Sequence, residues 1–116
     1  MTPKQIKVLQ RAINTYNAVN QLEMAIEESA ELIQSINKLK RNKLISSYHI
    51  NLPPSNFKLK QSKVYFDFIG EVADVKIMLQ QIELMLCDTG KEALQISTDR
   101  KIDKLENNLN KQHEPC

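Results

Sequence analysis

Apolar positions recur every three or four residues along most of the chain, the period of an amphipathic helix, and the few places where the period fails mark the connections. Thr2-Pro3-Lys4-Gln5 sets an N-cap residue, a proline at the first helical position and a capping-box glutamine in order, which predicts a helix from Pro3 to about Tyr16. Asn17 to Asn20 is an asparagine-rich break. Asn20, with Glu23 three residues on, repeats the N-terminal signature and predicts a second helix running to about Arg41. In it Leu22, Ala25, Ile26, Ser29, Ile33, Ile36 and Leu39 share a broad apolar arc, with Glu27, Glu28, Glu31 and Lys38 opposite.

Residues 42–61 lose the period and carry Ser46-Ser47, Pro53-Pro54 and Ser55-Asn56, the chemistry of a connection. A connection this long in a small domain is functional or mobile. From about Ser62 to Cys87 a third helix is written in Val64, Phe68, Val72, Val75, Leu79, Ile82 and Leu86, and Ile69, Ala73, Ile77 and Leu84 add a second apolar side. A helix apolar on more than one face needs more cover than a thin single-chain bundle offers, so a homodimer or homotetramer is expected. Thr89-Gly90-Lys91-Glu92 is another capping box, opening a last helix through Leu94, Ile102, Leu105 and Leu109 that frays at His113-Glu114-Pro115. The pattern predicts an all-α fold: one domain over 1–116, a four-helix bundle protomer with a long flexible basic connection, about 42–61, between helices two and three.

Composition narrows the alternatives. Of 116 residues 41% are hydrophobic and 26% charged, which suits a globular chain rather than a disordered one. Two glycines and four prolines are too few for the turns of a sandwich or barrel. No apolar run approaches the ~18 to 20 residues of a membrane span, and the amphipathic start is unlike a signal peptide, so no membrane contact and a cytoplasmic location are expected. Cys87 and Cys116 form neither a disulfide framework nor a metal knuckle and read as ordinary thiols.

The net charge of +2 conceals a division along the chain. Between Glu31 and Asp67 there is no acid, while Lys38, Lys40, Arg41, Lys43, Lys58, Lys60 and Lys63 fall there. Such a basic stretch beside acidic helices suits a phosphorylated ligand whose metal sits on the acids; by itself it reads as a solvated loop.

The acids are spaced for that role. Glu28 and Glu31 stand at i and i+3 on the second helix, with Glu27 at i−4 from Glu31, and Glu71 and Asp74 repeat the i, i+3 pair on the third, extended by Asp67 one turn earlier. If the two helices are antiparallel, the pairs face each other and offer several oxygens to one cation. All-oxygen ligation favours Mg²⁺ or Mn²⁺ over zinc or copper. A di-iron bundle would need Glu-x-x-His, and the i+3 positions here are Glu31 and Asp74. On a wet helix face Glu27, Glu28 and Glu31 need no ion, but Glu71 and Asp74 lie within the most apolar helix, where a lone carboxylate is costly.

These residues carry a family resemblance. Gln21-Leu22-Glu23-Met24-Ala25-Ile26-Glu27-Glu28-Ser29-Ala30-Glu31-Leu32-Ile33, followed by Phe68-Ile69-Gly70-Glu71-Val72-Ala73-Asp74-Val75, resembles the EExxE and ExxD signature of MazG-like all-α nucleoside triphosphate pyrophosphohydrolases. Arg100-Lys101-Ile102-Asp103-Lys104-Leu105 is similar to the basic last helix of that group, so the resemblance spans roughly residues 17–112. It implies Mg²⁺-dependent hydrolysis of a (deoxy)nucleoside triphosphate to the monophosphate and pyrophosphate. It further implies Glu28, Glu31, Glu71 and Asp74 as metal ligands, and Glu27 as a ligand or the base that orients water. Lys38, Lys101 and Lys104 are the cations expected to hold the triphosphate.

A reading from another class is a non-catalytic helical module that contacts nucleotides, nucleic acid or a protein partner. No helix-turn-helix spacing, zinc knuckle or basic-aromatic motif supports a nucleic-acid role, which is not expected.

Overall fold

The computed structural model describes residues 1–51 and 59–113, and every structural statement concerns these. Pro53-Pro54, Ser55-Asn56, Lys58, Glu114-Pro115 and Cys116, singled out in the sequence, lie outside them. The described chain is helical: α1 (Pro3–Arg41), α2 (Leu59–Met85) and α3 (Asp88–His113). It divides into two compact units, Met1–Met85 and Leu86–Cys116. None of its helices is long and apolar enough to cross a membrane.

Three helices are found where the sequence predicts four, because the expected break near Asn17 is a kink inside α1. The helix starts as expected: the Gln5 N–H donates to Thr2 Oγ1 at 3.1 Å and the Thr2 N–H to Gln5 Oε1 at 2.9 Å. At Asn17 the backbone leaves the helix, with φ 66° and ψ 167°. Its own Oδ1 then accepts the N–H of Asn20 at 3.0 Å and restarts the helix. The cap is therefore Asn17, and the box expected from Asn20 and Glu23 does not form. With ψ at 167° this is not the left-handed helical region that asparagine tolerates but one nearly confined to glycine, and what asparagine contributes here is the local side-chain bond that restarts the helix.

The end of α1 is a Schellman motif. Lys43, at φ 56°, takes the left-handed conformation. The N–H of Leu44 reaches back to the Leu39 carbonyl at 3.1 Å and that of Lys43 to the Lys40 carbonyl at 3.2 Å. Leu39 and Leu44, the two apolar residues such a motif brings together, are buried with Phe68, and Leu32, Val64 and Tyr65 pack around them. The chain then turns tightly. Ile45 and Ile50 form an isolated antiparallel β-bridge, the Ser46 N–H donates to the His49 carbonyl at 2.9 Å, and Asn51 N–H to the Leu44 carbonyl at 2.8 Å. The connection between the helices thus runs over 42–58, and its first part, 42–51, is hydrogen-bonded.

Reversal at this turn makes α1 and α2 an antiparallel hairpin: Leu39 meets Phe68 at the loop end, Glu28 meets Glu71 and Asp74 at mid-length, and Leu22 and Ile26 share a groove with Ile82 beyond. Met1, Gln5, Val8 and Leu9 share a hollow with Ile77, so the arm of α1 before Asn17 comes back beside α2.

The seam is not where the apolar arc of α1 lies. Buried or half-buried on the seam are Gln21, Glu28, Leu32, Ser35 and Leu39 from α1, with Phe68, Glu71, Val75, Met78 and Gln81 from α2. Of the arc, Leu39 alone is buried; Ile26 is 66% and Ile33 61% exposed. An apolar arc ordinarily faces a core. Here α2 packs about a quarter-turn away from it, against the side that carries Glu28.

The second unit holds α3. It begins at Asp88, one residue before the expected Thr89 cap, with the Lys91 N–H donating to the Cys87 carbonyl at 2.9 Å. Thr89 therefore lies inside the first turn rather than capping it. Asp88 in that turn complements the positive end of the helix. Leu94, Ile102, Leu105 and Leu109 keep their helical period and are exposed.

Candidate functional site

Seven-residue spacing places polar side chains on the hairpin seam at successive pairs of turns: Gln21, Glu28 and Ser35 on α1, and Asp74 and Gln81 on α2. In the antiparallel pairing the acids of the two helices come to the same level. One carboxylate oxygen from each of Glu28, Glu71 and Asp74 lies within 4.8 Å of the others. Glu28 and Glu71 are half-buried and Asp74 is exposed, so the group opens to solvent along one side of the seam.

The electrostatics are those of crowded like charges. Loss of hydration, followed by the neighbouring Asp74 and Glu31 carboxylates, raises Glu28 from an ordinary 4.5 to about 7. Glu71 is raised too, first by lost hydration and then by Glu31, Asp74 and Asp67. When ionised these groups only accept hydrogen bonds, and Oε2 of Glu28 and Oε2 of Glu71 are shut off from water with no donor among the described residues. Protonated, Glu28 would donate to Asp74 and Glu71 to Glu31. A proton or a cation stabilises such a cluster.

A divalent ion fits the donor set. All the oxygens are carboxylate, the preference of a hard cation. Oxygens on one Mg²⁺ stand about 2.9 Å apart when adjacent and about 4.2 Å when opposite, so the three atoms, which lie within 4.8 Å of one another, would have to draw together to share an ion.

Of the residues expected at the site, Glu28, Glu71 and Asp74 come together. Glu31 is exposed and lies close enough to raise both Glu28 and Glu71. Glu27 is exposed and stands outside the cluster. Asp67 is engaged by Lys63, whose Nζ is 2.7 Å from Asp67 Oδ2. Lys38 lines a cavity at the loop end of the hairpin. Lys101 and Lys104 are exposed on α3, where with Arg100 and Ser97 they line an open groove of that helix. Gln21 and Gln81, each 3% exposed on the seam, were not singled out from the sequence, although their seven-residue spacing from Glu28 and Asp74 marks the same face.

No protein-family model, curated protein or solved structure matches this chain.

Proposed function

We propose that the chain is a MazG-like, Mg²⁺-dependent (Mn²⁺ serving in its place) pyrophosphohydrolase that cleaves a (deoxy)nucleoside triphosphate into the monophosphate and pyrophosphate. The observation that supports this most is the meeting of Glu28, Glu71 and Asp74, with two of their oxygens buried and unpartnered among the described residues. Glu28, Glu71 and Asp74 would hold the ion, with Glu31 completing the set from the next turn of α1. The ion, when bound, neutralises phosphate charge and acidifies a water. Glu27, exposed and one residue before Glu28 on α1, takes the proton of the water that attacks the anhydride, and Lys38 holds the phosphate tail. Water adds to phosphorus as the bond between the α and β phosphates breaks, and the leaving pyrophosphate carries off the bonding pair. The same proposal has further copies of the chain, in a homodimer or homotetramer, cover the apolar arc.

Thermal melts with and without Mg²⁺, joined to a product assay over a panel of nucleotides, test this reading. Mg²⁺ should raise the melting temperature of the parent. Glu71→Gln and Glu28→Gln, which keep side-chain volume while removing a ligand charge, should lose that rise and turnover together. Melts of both variants that respond to Mg²⁺ as the parent does would overturn the metal site and the hydrolase reading with it.

A further inference from the structure

Toward the loop end of the hairpin the acidic seam gives way to a cavity of opposite sign. Lys38, Arg41 and Asn42 from the end of α1, and Lys60, Lys63 and Asp67 from the start of α2, line a space of about 400 Å³. The one carboxylate is already held by Lys63. Among the described residues Lys38, Arg41 and Lys60 have no ion pair.

The cations from the two helices differ in what the fold gains from them. Lys38 and Arg41 lie in the last turn of α1, at the negative end of that helix, where positive charge stabilises. Lys60 and Lys63 lie in the first two turns of α2, which has no acid in its first turn. The dipole of a helix places roughly half a positive charge at this end, so lysines there gain nothing from the helix and favour an anion beside them. The cavity also adjoins the acids: Asp67 forms part of its wall and contributes to raising Glu71, one turn farther along α2.

We propose that this cavity is the seat of a nucleotide's triphosphate tail. Arg41 offers a planar fork to two phosphate oxygens, and Lys38, Lys60 and Lys63 supply point charges around it. A compact polyphosphate fits the site better than a nucleic-acid strand does. A phosphodiester backbone continuing out of the cavity along the seam would meet the carboxylates of Glu71, Asp74, Glu28 and Glu31, which repel it. A triphosphate ends within the cavity. The inference deepens the hydrolase reading and rests on it for the nucleotide; it shares Lys38 with that reading, but Arg41, Lys60 and Lys63 lie outside the metal cluster.

Titration of the full chain with inorganic tripolyphosphate in EDTA, followed by heat or by amide shifts, tests it without the metal. The Lys60→Gln/Lys63→Gln double variant should bind about tenfold more weakly or worse. Asp67→Asn, which frees Lys63, should bind severalfold more tightly, an effect that a damaged fold does not produce. Lys4→Gln/Lys7→Gln, removing the same charge from exposed positions on the N-terminal arm, should change affinity less than about twofold. Nucleoside triphosphates should compete for the site. Equal weakening by both double variants, an absence of binding, failure of nucleotides to compete, or tighter binding of a single-stranded oligonucleotide would each overturn the inference. Glu71→Gln separates the two readings: in EDTA it should keep tripolyphosphate binding while losing the Mg²⁺ effect. Unchanged binding by the Lys60/Lys63 variant beside an intact Mg²⁺ effect in the parent sinks the cavity alone.

Discussion

Glu28 binds a proton more tightly in the fold than in the unfolded chain, and that difference is a pH-dependent stability. With its pKa raised from 4.5 to about 7, folding takes up a proton between those values, so stability falls as pH rises through that window. Above it the ionised group remains half-desolvated beside Asp74 and Glu31. Glu71 shifts in the same direction and adds to the slope. In EDTA the chain should melt higher at about pH 5 than at about pH 8, and Glu28→Gln should flatten the difference and melt above the parent at the higher pH. Parent and variant curves that run parallel across the range would show that Glu28 is not held in this state. The i, i+3 spacing made Glu28, Glu71 and Asp74 visible in the sequence. The distinction among them was not visible, because whether a carboxylate is half-buried like Glu28 or turned to water like Glu27 depends on the side of α1 against which α2 packs.

At the scale of elements, local chemistry settles where helices begin and end. The Thr2 box formed as its spacing predicts. The break after Tyr16 was legible as a run of asparagines, yet which asparagine caps is decided by backbone conformation: Asn17 takes the positive φ, and the side chain at that position is the one that reaches the Asn20 N–H. The other end of α1 was less legible, because its Schellman motif uses Lys43 where glycine is usual. A lysine at φ 56° carries a Cβ penalty of about 1 kcal/mol that glycine escapes, and the bond it makes to the Lys40 carbonyl is from its backbone N–H, which glycine keeps. Lys43→Gly should therefore raise stability by roughly 0.5 to 1 kcal/mol in denaturant unfolding. A loss of stability would mean that the left-handed turn, and with it the meeting of Leu39 and Leu44, is not the native end of the helix.

Across the whole molecule, helical periodicity named an apolar face on α1 but not the neighbour it meets. Within residues 1–85 the seam takes Leu39 and leaves Leu22, Ile26 and Ile33 outside, lining a groove with Ile82. A polar seam is tolerable inside a hairpin only if burial elsewhere supplies the stability that Gln21, Glu28 and Gln81 do not. Self-association through the outer groove would supply it. An exposed isoleucine gains about 1.5 to 3 kcal/mol when fully covered. In a two-fold contact each position counts twice, so Ile26→Lys/Ile33→Lys removes on the order of 6 kcal/mol, about four decades in the association constant. The parent should sediment at micromolar concentration as a dimer or larger, and the double variant as a 13.4 kDa species that keeps its helical circular dichroism. A parent that sediments at 13.4 kDa removes self-association as the cover for this face. An oligomer that survives both lysines removes this groove as its interface, because two buried ammonium groups per protomer could not be accommodated there.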